Sequence, residues 1–326
     1  MRAITRLARA ALATAITVLG SHTPAQVNYP ERPIRIIVGV PAGQSTDIIA
    51  RLLASRAGEI LKQSIVVDNR PGAGGIISHE AAKAAPPDGY TLLIASGSTM
   101  AINPALYKKL PYDPVADFEP VVGLISAPLF LFTSTSTPVH SVRDMVKYVK
   151  SSANPIAYGS TGNGGTQHIA MEMLKKQASI DMIHVPYKGG PPMVTDVIGG
   201  QVQFGFDAAL SILPMAAAGQ VRLLGISSAQ RSPVAPDIPT IAEQGLAGYS
   251  AVTWAALFAP KHTPAPVVEK LNATFNMVLK DPAVMAELNR RGGQAAGGTA
   301  FQLSSFLRSE LSRWGDAVRA SGARVD

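Results

Sequence analysis

Short runs of β-branched and other apolar residues alternate along this chain with longer segments whose apolar positions recur every three or four residues. Ile34-Arg35-Ile36-Ile37-Val38-Gly39-Val40 has the near-continuous apolar character of a buried strand. Thr46 to Leu61 then places Ile48, Ile49, Leu52, Leu53, Ile60 and Leu61 at helical spacing. A second unit repeats the order: strand Ile65-Val66-Val67, loop Asn69 to Gly75, helix Ile76 to Ala85, turn Pro86-Pro87-Asp88-Gly89 and strand Thr91 to Ala95. Such alternation predicts a mostly parallel sheet with helices on both faces.

The pattern restarts in the middle of the chain. Strands around Val121 to Thr133 precede a helix from Ser141 to about Lys150, with Ser141 and Asp144 at capping-box spacing. Strand Ile156 to Tyr158, helix Gln167 to Gln177, strand Met182 to Val185, helix Pro191 to Ile198, and strands Val202 to Phe206 and Val221 to Ile226 follow. After strand Ala251 to Ala259 the tail is helical over 265–279 and 282–291, and ends in a helix capped by Thr299 and Gln302. A tail without strands of its own is expected to pack back on the first domain. The resulting expectation is two α/β lobes joined by two crossings, near residues 126 and 249: one lobe from 26–126 and 249–326, the other from 127–248.

The N-terminus departs from this pattern. Arg2, Arg6 and Arg9 precede an apolar run from Ala10 to Gly20 and a short polar stretch ending at Ala25. This is the three-part form of a secretory signal peptide over 1–25, and the run is too short for a spanning helix, which needs about 20 residues. Composition supports a folded product: of 326 residues 47% are hydrophobic and 16% charged, and none is cysteine. Disulfides, thiolate chemistry and Cys-ligated metals are thereby excluded. The net charge of +7 invites a nucleic-acid reading, but three of those charges fall in the leader and the rest form no Lys/Arg-rich run. The mature chain is expected to be exported and soluble, with no nucleic-acid partner.

Candidate chemistry gathers at three strand-to-helix junctions rich in small residues: Val40 to Asp47, Ala95 to Thr99, and Tyr158 to His168. The first amides of a helix lack intrahelical partners and carry partial positive charge, so small residues there let an anion approach the backbone. In open α/β sheets ligands bind outside the carboxyl ends of strands, where these loops lie. Loops from two lobes facing across a cleft would clamp a carboxylate without Arg or Lys. Candidate ligand-binding residues are Ala42, Gly43, Gln44, Thr46, Ser96, Ser160, Thr161, Gly162, Asn163 and Thr166, with Tyr187 and Asp207 behind them. Tyr187 could point its hydroxyl into the cleft or cover the sheet end, and Asp207 could take a ligand amine or cap the next segment. Trp254 suits either a hinge core or a stacking surface; Asp47 suits the dipole of its own helix, and His168 a hydrogen bond fixing the preceding loop.

Enzyme motifs are missing. Gly162 to Gln167 opens like a dinucleotide loop but ends in Gln; there is no P-loop, no G-x-S-x-G and no H-E-x-x-H, so no cofactor, metal or catalytic residue is expected. A Ser160, His168, Asp207 set remains a possible triad by residue type alone.

The motifs Tyr29-Pro30-Glu31-Arg32-Pro33, Pro41-Ala42-Gly43 with Thr46-Asp47, Asn69-Arg70-Pro71-Gly72-Ala73-Gly74-Gly75 and Pro87-Asp88-Gly89-Tyr90-Thr91 occur in order. They are followed by Asn103-Pro104-Ala105-Leu106-Tyr107, Leu110-Pro111-Tyr112-Asp113-Pro114, His184-Val185-Pro186-Tyr187-Lys188-Gly189 and Ala265-Pro266-Val267-Val268. The mature chain thus resembles the Bug family, the periplasmic receptors of tripartite tricarboxylate transporters. The resemblance implies a type II periplasmic-binding-protein-like fold, a monomer that closes on a small organic carboxylate, and delivery to integral-membrane permease subunits. It also implies carboxylate contacts from the loops matching Pro41–Asp47 and Ser160–His168, with Gln44 standing where the family usually has a second glycine. Alternatives are a ligand-sensing receptor for a membrane sensor, or a secreted hydrolase or isomerase acting on small carboxylates.

Overall fold

The apolar run after Pro33 becomes β1 (Ile34–Val38), whose Ile34, Ile36, Ile37 and Val38 are completely buried. The computed structural model describes residues 29–325, so the expected leader lies outside the described residues. α1 (Ser45–Leu61) leads to β2 (Ile65–Asn69), and α2 (Ile76–Lys83) to β3 (Thr91–Ser96); β2 and β3 flank β1 in parallel. A wide π turn over Ser98–Ile102 runs into the short α3 (Asn103–Leu106).

β4 (Phe118–Ser134) is one strand of 17 residues where separate strands were expected. Its first part, Phe118–Pro128, pairs antiparallel with β9 (Val252–Pro260), and its last part pairs with β7 (Phe204–Ala208) and β8 (Val221–Ile226). The strand order is β2-β1-β3-β9-β4-β7-β5-β6, with β4 common to both halves. The second half repeats the parallel arrangement: β5 (Ala157–Ser160) lies between β6 (Ile183–Pro186) and β7. Its helices are α4 (Val142–Ser151), α5 (Thr166–Ala178), α6 (Gly190–Ile198) and α7 (Ala209–Ala217). The architecture is a two-lobed α/β fold.

The C-terminal part holds α8 (Ala265–Leu279), α9 (Pro282–Arg290), β10 (Gln294–Gly297) and α10 (Ala300–Ser321). β10 corrects the expectation of a strandless tail: it pairs antiparallel with β4, and an added Cβ on Gly123 would lie 3.0 Å from the Ala296 Cβ, so glycine admits the close approach. α10 carries the full capping box expected of Thr299 and Gln302. It packs on the π turn, α3, β4 and also α5. Its Trp314 belongs to a core that joins Leu93 and Met100 to Tyr158 and Ile169. At α4, Ser141 accepts the Asp144 amide (3.0 Å), but Asp144 accepts the His140 amide (3.3 Å), one residue earlier than a reciprocal box requires. Among the described residues no helix is long and apolar enough to cross a membrane.

Candidate functional site

Two helices begin at the expected loops. α1 has Gln44 as its N-cap and α5 has Gly165, and neither cap residue uses a side chain to satisfy the first amides. The amides of residues 45–47 and 166–168 therefore carry the unpaired positive ends of two helix dipoles.

The two loops are held by the same device. In the first, Gly43 (φ +85°) donates its amide to Asp47 Oδ2 at 2.8 Å; in the second, Gly164 (φ +72°) donates to His168 Nδ1 at 3.0 Å. In each case a left-handed glycine, a conformation costly for other residues, is tied to the third residue of the following helix. Asp47, only 2% exposed, also accepts Asn69 Nδ2 at 2.8 Å and Arg51 Nε at 3.1 Å. The Arg51 guanidinium, the Gly43 amide and Asn69 hold its carboxyl down at about 2 against the opposing effect of burial. Asp47 thus does more than serve its helix dipole: it locks the loop.

A cavity of about 620 Å³ opens where the carboxyl ends of β1 and β3 meet the glycine-rich turn before α2. Gln44, Thr46 and Ser96 line it with Ser98, Thr99, Gly74, Gly75, Ser78 and His79, and among the described residues no Lys, Arg, Asp or Glu does. Gln44 is itself exposed. A smaller cavity of about 120 Å³ continues from Ser96 and Ser98 to Thr166 at the start of α5, over Val252, Thr253, Trp254 and Trp314. Ser96 and Ser98, whose hydroxyls lie 2.9 Å apart, therefore connect the two helix starts. Trp254 is buried, donates Nε1 to Glu310 at 2.8 Å and stands edge-on to Phe306; an added Cβ on Gly97 would meet its indole at 2.7 Å.

A model of the tripartite tricarboxylate transporter family receptor matches residues 49–323. The chain belongs to that receptor family. The receptor is 35% identical to the protein BugT of Bordetella pertussis over 95% of this chain and 96% of that one. Among solved structures it is similar to R. palustris Rpa4515 with adipate, at 33% identity and TM-score 0.76 over 90% of this chain and 98% of that one. It is also similar to MatC from Rhodopseudomonas palustris with bound malate, at 31% identity and TM-score 0.72 over 89% and 100%.

Several of the receptor's expected contact groups are engaged within the protein. The Ser160 hydroxyl is buried between Gly162 O (3.0 Å) and His184 Nε2 (2.7 Å), Thr161 donates to Gln167 Oε1 (2.9 Å), and the Asn163 amide reaches Arg324 O (3.5 Å). Tyr187 turns its hydroxyl to Asp196 Oδ2 at 2.7 Å, which corrects the idea of a hydroxyl directed at ligand. Asp207 accepts the Ala208 amide and the Ser211 hydroxyl, both at 2.8 Å, at the start of α7; burial pushes its carboxyl up while those bonds hold it down. A triad of Ser160, His168 and Asp207 does not assemble, because His184 takes Ser160 and the loop amide takes His168. Ser98 and Thr99 lie in the Ala95–Thr99 junction named from the sequence, whereas Ser78, His79 and Gly75 carry no such signal of their own. The run Pro71 to Gly75 was the available signal, since consecutive glycines leave the backbone open.

Proposed function

We propose that this receptor captures a small organic carboxylate between its lobes in the periplasm and hands it to the permease subunits of a tripartite transporter. The observation that carries this reading is the pair of open helix starts at α1 and α5, joined by the Ser96–Ser98 loop around a cavity that no charged side chain among the described residues lines. Such a site matches an anion through fixed backbone dipoles and hydroxyls. The adipate and malate held by the two similar structures fit that chemistry.

The contacts belong to the amides after Gln44 and after Gly165, the hydroxyls of Thr46, Ser96 and Thr166, and the Gln44 side chain. Lobe one comprises 26–126 and 249–326, lobe two 127–248, and residues 1–25 form a leader removed on export. Closure draws Thr166 toward Ser96, so ligand stabilises the closed population. The protein is read as a monomeric receptor rather than a catalyst, since both serines that meet an imidazole among the described residues, Ser160 with His184 and Ser78 with His79, are buried.

A thermal-shift screen of ligand-free protein against mono-, di- and tricarboxylates, adipate and malate included, tests this. A ligand at 100 times its dissociation constant stabilises by about 2.7 kcal/mol. Thr166→Val keeps the β-branched shape and removes one hydroxyl, and should weaken that ligand about tenfold, the value of one net hydrogen bond of roughly 1 to 1.5 kcal/mol. No stabilisation across the panel would reject the carboxylate reading, and undiminished binding by Thr166→Val would move the site away from α5.

A further inference from the structure

The loop that precedes α5 rests on two stacked imidazoles. His168 from α5 and His184 from β6 lie with ring centroids 3.7 Å apart and planes 7° from parallel, and Tyr158 from β5 stacks on His184 at 5.1 Å. His168 Nδ1 accepts the Gly164 amide, and His184 Nε2 meets the Ser160 hydroxyl. Both contacts fall within the segment Ser160 to Gly165 that delivers the first amides of α5 to the cleft.

We infer that His168 is a positioning residue that holds the α5 anion loop only while its Nδ1 is unprotonated, with His184 stacked on it, so that acid releases the loop and with it the ligand. This inference rests on the carboxylate-receptor reading for its consequence, though not for its geometry. The donor count decides it: the Gly164 N–H is itself a donor, so the Nδ1 facing it must be a bare acceptor. A proton placed there sets two donors against each other and breaks the bond. Protonation of both rings would also press two cations together at stacking distance.

The charged surroundings act in the same direction on balance. Lys175, mostly buried, lies 2.8 Å from Glu172 and 3.3 Å from the exposed Asp181, and its ammonium stands 5.6 Å above the Tyr158 ring. Tyr158 donates to Glu172 at 2.5 Å. Burial is the largest cause holding His168 down at about 4, with Lys175 adding to it. His184 is also held at about 4, by burial first, then by its partner His168 and by Lys175, with Glu172 opposing.

The sign follows. Well above pH 6.5 the rings are neutral in either loop state. Between 6.5 and about 4 the released loop gains a proton that the held loop refuses, so the held state loses ground. One histidine moving from about 4 when held to 6.5 when released shifts the balance about 30-fold at pH 5.

Ligand-free protein, labelled with ¹⁵N and with ¹³C in its imidazoles, provides the test. Between pH 7 and pH 5 the hydrogen-exchange protection of the Gly164 amide, corrected for intrinsic rate, should fall about 20-fold. Both imidazoles should remain largely neutral until below pH 5. His168→Asn offers a non-titrating oxygen to the same amide and should flatten the profile, whereas His168→Leu should remove the protection at every pH. A His168 midpoint near 6.5, or the same fall in His168→Asn as in the native protein, overturns the inference. Calorimetry with adipate and malate at pH 7.5 and pH 5 adds the binding arm. The native protein should lose more affinity than His168→Asn, ligand titration being common to both. If neither acid binds at pH 7.5, the carboxylate reading loses its support while the Gly164 profile still decides the loop.

Discussion

Replacing Asp47 with asparagine tests how the α1 loop is held. The native carboxylate receives Gly43 N–H and Arg51 Nε on one oxygen, and Asn69 Nδ2 and Arg51 Nη2 on the other. Asparagine keeps one acceptor for Gly43 but turns an NH2 toward the remaining donors. Asn69 cannot rotate to accommodate it, because the same amide donates to Val40 O at 3.0 Å and its oxygen accepts Arg51 at 2.8 Å. One bond to a charged acceptor is lost, at about 1.5 to 3 kcal/mol, together with an ion pair whose half-exposed guanidinium limits it to about 0 to 1 kcal/mol. The expected loss of roughly 2 to 4 kcal/mol lowers Tm at pH 7 by roughly 4 to 8 °C in a chain of this length. The carboxyl is held at about 2, below its unfolded value, so its contribution is complete above about pH 4 and fades as pH falls toward 2. Melting curves of both proteins at pH 7 and pH 3 should therefore show a gap that narrows in acid. A change below about 1 °C at pH 7, or a gap as wide at pH 3, would refute the account of this loop.

Trp254→Phe should destabilise by about 1 to 3 kcal/mol in chemical denaturation, because it takes one indole donor from Glu310, a carboxylate only 3% exposed that also receives Trp314 Nε1 at 2.8 Å. A loss equal to that of an exposed Trp→Phe control would show that the carboxylate is satisfied elsewhere. Gly164→Ala places a Cβ 2.5 Å from Leu106 at φ +72°, and should cost about 1 to 3 kcal/mol. Pairing it with Leu106→Ala in a double-mutant cycle should recover the steric part alone, and a cycle without coupling would refute the contact between this loop and α3.

The alternation of strands and helices was legible because β1, β3 and β9 are apolar runs buried on both faces, and because Thr299 and Gln302 are a complete capping signal. β10 was not legible. Gln294-Ala295-Ala296-Gly297 holds no β-branched or aromatic residue, and it is a strand because Gly123 lets it lie against β4. The unity of β4 was hidden for a related reason. Gly123, Ser126 and Pro128 look like breakers, yet Pro128, which has no amide to donate, sits at the end of the β9 pairing, just before β7 takes over at Leu129. At the site, the small-residue loops announced open backbone, but the partners of their hydroxyls did not announce themselves. Ser160 and His184 are 24 residues apart in sequence, and only the parallel pairing of β5 with β6 brings them to 2.7 Å.

A site that recognises an anion through backbone amides places its specificity in loop conformation, so the residues that matter most need not touch the ligand. Gly43 with Asp47 and Gly164 with His168 are the same solution in two lobes: a left-handed glycine tied to the third residue of the helix it introduces. They differ in what acid does to the acceptor. A carboxylate held at about 2 keeps the α1 loop in place through any mildly acidic medium, whereas an imidazole begins to lose its hold as soon as the released ring would titrate, near 6.5. Acidification should therefore loosen the second lobe's half of the clamp while the first remains formed. Substituting His168 by a non-titrating acceptor should make the two halves equally resistant.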